Sequence, residues 1–305
     1  MAAKSSENLE ILRKFVNSLV TPVVQNLIEH YLKIVNKTLS ELIDDYQHEL
    51  YHLYTSRRCC QCDRCNDQSK MGTSVLKQIQ LKLLFNTDKR LPSHKKGRLC
   101  CCYSNPINAQ QLDITLLKCL LINVCKDVIW DENLQVHNLN NFEDFLRSRQ
   151  HDIYHLWEHL VTCCQCHRDY TRPTKRQIKK AEFLEMFTFH KKKCNLEDAC
   201  AYLVKSGITY NGIKSQSQLF LKLSNNLCHL RKAVDKIGHI RNSIYHSSGE
   251  VLSDEIFEEY WDILKKSIIN IQDAIGSKTC TEEDIDQLKQ YSIAVCIHKK
   301  FAIID

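Results

Sequence analysis

Glycine and proline are scarce in this chain, with 7 and 4 residues among 305. So few turn formers exclude a turn-dense all-β protein. Long hydrophobic runs are missing too. Nothing approaches the ~18 consecutive apolar residues that cross a bilayer, so no membrane association is expected. The opening Met1-Ala2-Ala3-Lys4-Ser5-Ser6-Glu7-Asn8 lacks the apolar centre of a secretory leader. This points to a cytoplasmic protein whose thiols stay reduced. Charge of one sign is not in great excess either. A net charge of +6 permits an anionic partner without demanding one.

Apolar residues make up 43% of the chain, enough for substantial cores in two or three domains. They recur at gaps of three and four, as in Leu9, Leu12, Val16, Leu19, Val23 and Leu27, with an interruption at Pro22. That spacing predicts an all-α fold. The 17 cysteines are clustered, which in a reducing compartment raises a question of metal binding rather than of disulfides.

The clusters belong to an internal repeat. Gln47, His48, Tyr51 and His52 precede Cys59, Cys60 and Cys62; about a hundred residues later Gln150, His151, Tyr154 and His155 precede Cys163, Cys164 and Cys166. Such a match at nearly constant offset predicts two copies of one supersecondary unit. Each copy offers a His-x-x-x-His pair on one helix face, a Cys-x-x-Cys pair, and a histidine some thirty residues on. Two thiolates and two imidazoles form a donor set that zinc selects, and four protein ligands leave no open position, so two structural zinc sites are expected. The preferred sets are His52, Cys59, Cys62, His94 and His155, Cys163, Cys166, His190. Cys60 or Cys164 can replace a neighbouring thiol, and His48 or His151 can replace the distant histidine. The competing reading is a set of buried thiols and packed histidines. Basic stretches accompany both copies, notably Lys95 to Arg98 and Arg168 to Lys180; they fit phosphate-contacting surfaces or, more simply, solvated loops.

The third part of the chain carries no cysteine module. Leu219, Leu223, Leu227, Leu230, Val234, Ile237, Ile240 and Ile244 form one helical face. Arg241, Asn242 and His246 close that helix. A guanidinium can hold a phosphate with its forked donors, and an imidazole can exchange a proton with a ribose hydroxyl near neutral pH. That chemistry needs no metal. In ideal α-helical geometry Arg241 and His246 stand about 140° apart, so they converge only if the last turn is distorted or across a two-fold axis. The alternative is a solvated helix end whose side chains bond free carbonyls. Arg149 and His155 have a similar spacing, but His155 is claimed by the metal kit. Ser253 is predicted to cap the next helix and Gly276 to end it.

Leu112 to Leu117, the Arg241-Asn242-x-x-x-His246 pattern and Phe257 to Ile263 together resemble the HEPN family. The likeness is to the version found in a DAZ-interacting zinc-finger ubiquitin ligase and in invertebrate proteins of immune type, and it is closest over residues 205–276. The resemblance implies a helical bundle, homodimerisation that brings two Arg/His pairs together, and metal-independent RNA cleavage in active members. It assigns Arg241 to the scissile phosphate, Asn242 to orientation and His246 to proton transfer. Members without cleavage are interaction modules. The chain is therefore expected to divide into helical repeats over 1–104 and 105–208 and a HEPN-like unit over 209–305. Its function is expected to be an RNA-binding or RNA-cleaving module of innate-immune type, or a non-catalytic zinc-stapled scaffold for dimerisation and protein partners.

Overall fold

The computed structural model describes residues 2–57, 75–90, 102–130, 142–163, 165–190, 201–215, 217–246 and 252–301. Most of them are helical, as the gaps of three and four require. Among the described residues the exceptions include two antiparallel two-stranded ladders, which helical periodicity did not anticipate.

Contacts gather the chain into two units, Met1–Val128 with Ala233–Asp305, and Ile129–Lys232. The predicted boundaries at 104 and 208 do not coincide with this division, because the C-terminal helices share a core with the N-terminal ones. In the first unit, α1 (Ala2–Phe15) runs through a π-helical turn, Val16–Val20, into α2 (Thr21–Val35). Pro22 lies in the first turn of α2, where its missing N–H breaks no intrahelical bond. Thr21 hydroxyl donates to the Val16 carbonyl across the π turn. Asn36, with φ of 50°, ends α2 in the left-handed conformation that asparagine tolerates. After α3 (Leu39–Asp45) and α4 (Gln47–Tyr54), α5 (Gln78–Leu84) leads into the ladder of β1 (Phe85–Arg90) and β2 (Cys102–Ser104). Next comes α6 (Ile114–Asn123), capped by the Asp113 carboxylate accepting from the Leu116 N–H at 2.9 Å.

The second unit holds α7 (Phe142–Ser148), α8 (Gln150–Trp157), α9 (Lys180–Met186), the ladder of β3 (Phe187–Phe189) and β4 (Tyr202–Val204), then α10 (Tyr210–Ser215) and α11 (Ser217–Leu227). Its core is aromatic. Trp130, fully buried, meets Phe142, Phe145, Tyr210 and Phe220 at centroid distances of 5.1–6.0 Å. Helix α12 (His229–His246) starts in this unit's sequence span and continues into the other's.

The rest of the first unit is α13 (Asp254–Ile275) and α14 (Glu282–Phe301). Ser253 caps α13 by accepting from the Ile256 N–H, and Gly276 ends it at φ of 62°, both as the sequence indicates. Helix α13 packs on α1 and α2, and Phe15 stacks on Trp261 at 4.2 Å.

Local hydrogen bonds recur about a hundred residues apart. Leu53 carbonyl accepts from the Val75 and Leu76 N–H groups, and Leu156 carbonyl accepts from those of Gln177 and Ile178. Gln47 side-chain amide donates to the Cys102 carbonyl, and Gln150 does the same to Tyr202. Lys77 and Gln80 open α5 as Lys179 and Glu182 open α9, with the later side chain accepting from the earlier backbone N–H. Phe85 pairs with Ser104 in one ladder, and Phe187 with Val204 in the other.

Candidate metal centre

Helix α8 supplies half of the site. His151 and His155 are four residues apart and share a face, their rings meeting edge-on with centroids 4.8 Å apart. Beyond Trp157 the chain returns through a turn in which the Cys166 N–H donates to the Cys163 carbonyl at 3.1 Å. This turn brings the two sulfurs to 3.7 Å. Backbone N–H groups of Cys163 and Gln165 donate to Cys166 Sγ and Cys163 Sγ, each at 3.4 Å.

The four ligand atoms lie within 4.8 Å of one another. Cys166 Sγ is 3.1 Å from His155 Nε2 and 3.5 Å from His151 Nε2. A tetrahedral ion with bonds of about 2.3 Å to sulfur and about 2.05 Å to nitrogen has S···S edges of about 3.8 Å and S···N edges of about 3.6 Å. The observed S···S distance of 3.7 Å and S···N distance of 3.5 Å match these edges, and the 3.1 Å contact opens by half an ångström if the ion enters. The group can therefore hold a metal ion.

The surroundings favour ligation. His155 is fully buried, and its Nδ1 donates to the Glu158 carbonyl at 2.9 Å, which fixes the tautomer and turns the Nε2 lone pair toward the thiols. Burial, reinforced by neighbouring His155, holds His151 below the ordinary imidazole range, against the pull of Asp152. The neutral, ligand-competent ring is favoured. Tyr170 packs over both imidazoles at 4.4 and 5.3 Å, and its hydroxyl donates to Asp152 Oδ1 at 3.3 Å. Burial raises that phenol, so it stays a donor.

His155, Cys163 and Cys166 are thus brought together as the sequence indicates, but the fourth member is His151 rather than His190. His190 lies exposed just after β3, where its backbone N–H donates to the Ala201 carbonyl at 2.6 Å. The one-turn spacing of α8 had marked His151 as the alternative, and helix geometry already places it beside His155. On α4, His48 and His52 make a similar ring contact at 4.6 Å, and His52 Nδ1 is 3.3 Å from the Thr55 carbonyl. Cys59, Cys62 and His94 lie outside the described residues, as do Cys60 and Cys164.

Other thiols are of a different kind. Burial pushes Cys119 up to about 11 and Cys228 up to about 12, and raises Cys125 as well. They are protonated packing residues, neither nucleophiles nor ligands.

Helix α12 stays α-helical through His246, so Arg241 and His246 remain on different faces of one chain's helix. Arg241 is engaged locally. Its guanidinium reaches Asp113 Oδ2 at 3.4 Å and Asn242 Oδ1 at 3.3 Å, and lies 4.9 Å from the Tyr245 ring centroid. Arg13 faces the same ring at 5.5 Å and donates to the Ile244 carbonyl at 3.0 and 3.3 Å, a cation closing a helix C-terminus. Asn242 and His246 are exposed. Arg149 contacts Asp152 at 3.4 Å and His229 at 3.2 Å.

No family model matches the chain, and no curated protein or solved structure matches it.

Proposed function

We propose that this protein is a zinc-stapled helical scaffold that binds protein partners, with the zinc in a structural role. The observation that carries the reading is the His151, His155, Cys163, Cys166 group, whose ligand atoms lie within 4.8 Å of one another, with Cys166 Sγ at zinc-like distances from Cys163 Sγ and His151 Nε2. Two thiolates with two imidazoles favour zinc over harder ions, and four protein ligands leave no place for substrate water. The ion closes the chain between α8 and Cys166 and holds the basic segment beyond it against the helix. The recurring bonds around His52 support a second, equivalent site in the first copy, and a repeated helical unit in both. Elemental analysis of the purified chain tests this. Two zinc ions per chain are expected, falling by one in Cys166→Ala; a chain free of metal after purification without chelator would overturn the staple.

A second reading, a HEPN-like RNA-contacting surface formed in a homodimer, is favoured by the side chains gathered where α12 ends. Arg13 and Arg241 both face the Tyr245 ring, and His246 is exposed at the end of the same helix. Because one helix keeps Arg241 and His246 apart, this reading requires two chains. Its test is single-stranded RNA cleavage by wild type against His246→Ala, alongside the solution mass. A monomer without cleavage would leave the scaffold alone.

A further inference from the structure

Beside the metal group, and within the same unit, lies a cavity of about 400 Å³. Three separated stretches line it: Arg149, Asp152 and Leu156 at the start and along one side of α8; residues 170–174 and Gln177 from the segment beyond Cys166; and Asn226 to Lys232 where α11 gives way to α12. From its charge and shape we infer that this cavity binds a small organic phosphate.

Charge is the first argument. Arg149, Arg172 and Lys232 line the cavity against one carboxylate, Asp152. That carboxylate is already engaged, accepting from Arg149 at 3.4 Å and from the Tyr170 hydroxyl at 3.3 Å. Among the lining residues cations outnumber carboxylates by two, which suits a dianion better than a monoanion and points to a phosphate monoester over a carboxylate. Thr171 and Thr174, whose hydroxyls are neutral donors, line the cavity too.

Shape and apolar lining are the second. The lining is mainly polar, but Leu156, Pro173 and Leu227 also border the cavity, so a small organic group can rest against them while the phosphate meets the cations. The volume is near the lower end of the range for small-molecule sites, so the ester is small. Thr171, Thr174 and Lys232 are exposed, so the cavity opens to solvent. Arg172 donates to the Leu160 carbonyl at 2.7 Å and Arg176 to the Trp157 carbonyl at 3.2 Å, which ties the basic segment to the chain at and just beyond the end of α8.

Calorimetric titration of the full chain with phenyl phosphate, inorganic phosphate and benzoate at low salt tests the assignment. Phenyl phosphate is expected to bind once per chain, inorganic phosphate more weakly and benzoate weakest. Lys232→Ala, an exposed position, is expected to lower phenyl phosphate affinity about tenfold, as for the loss of one charged hydrogen bond. Arg149→Gln is expected to lower it at least as much, with far-UV circular dichroism confirming the fold. Absence of saturable phosphate binding, or binding that both substitutions leave unchanged, would overturn the site. Equal affinity for benzoate would overturn the dianion, and equal affinity for inorganic phosphate would overturn the organic ligand.

Discussion

Removal of the ion from the His151, His155, Cys163, Cys166 group should destabilise the second unit by a calculable amount. A ligand that binds only the folded state stabilises it by RT ln(1 + [L]/Kd), which is about 4 kcal/mol at a thousandfold excess over Kd. The four atoms are gathered within 4.8 Å of one another by a helix and a tight turn, so only small shifts are needed for binding, and zinc is added at a thousandfold excess over its Kd. The unit spans Ile129–Lys232, about a hundred residues, for which each kcal/mol moves the midpoint by roughly 4–8 °C. A shift of about 15–30 °C is therefore expected in that unit's unfolding. The assay is differential scanning calorimetry of the full chain, with added zinc and after chelation. Cys166→Ala should resemble the chelated protein and lose its response to zinc, because Cys166 Sγ contacts all three other ligands. A melting profile indifferent to both zinc and chelator would refute the reasoning, leaving the cluster as ordinary packed thiols and imidazoles.

Three further outcomes test the packing. Burial pushes Glu182 up, but the Lys179 backbone N–H and the Lys222 ammonium outweigh it, so its folded value lies below 4.5. Its stabilisation is thus fully present above pH ~4.5 and lost as pH falls through the lower folded value. Glu182→Gln should cost about 1 kcal/mol at pH 7 by chemical denaturation, and the gap should close as pH falls through the lowered folded value; a gap that persists in acid would show that the charge is not its source. Alkylation followed by mass spectrometry should leave Cys119 and Cys228 unmodified in the folded chain, while chelation makes Cys163 and Cys166 reactive. Trp261→Ala, which removes the ring stacked on Phe15, should cost roughly 3–5 kcal/mol in the first unit's unfolding. Trp261→Phe should cost clearly less, since it also removes a buried indole N–H that has no partner among the described residues.

Much of the metal group was legible because its parts are local. A His-x-x-x-His pair needs only a helix, and a Cys-x-x-Cys pair needs only a turn; both follow from spacing. The fourth ligand was not settled that way, since His151 and His190 have the same donor atom and only the path of the chain distinguishes them. The short ladders escaped helical periodicity because Phe187–Phe189 and Tyr202–Val204 are three residues each, too brief to display alternation, and gain their backbone partners only from one another. The phosphate cavity escaped as well. Arg172 reads as one cation in a basic run, and nothing in that run shows that Arg149 and Lys232 face the same space.

By itself the sequence determined what depends on neighbours within a turn or two: helices from gaps of three and four, the caps at Ser253 and Gly276, and the paired donors of the two cysteine modules. Tertiary structure decided what depends on distant segments meeting. It put the C-terminal helices in one unit with the N-terminal ones, chose His151 over His190, tied Arg241 to Asp113, and enclosed a cavity between three stretches of chain. The physical reason is that local geometry is set by bonded dihedrals and short hydrogen-bonded rings, whereas burial is shared among all apolar faces at once and assigns partners only when the whole chain has packed.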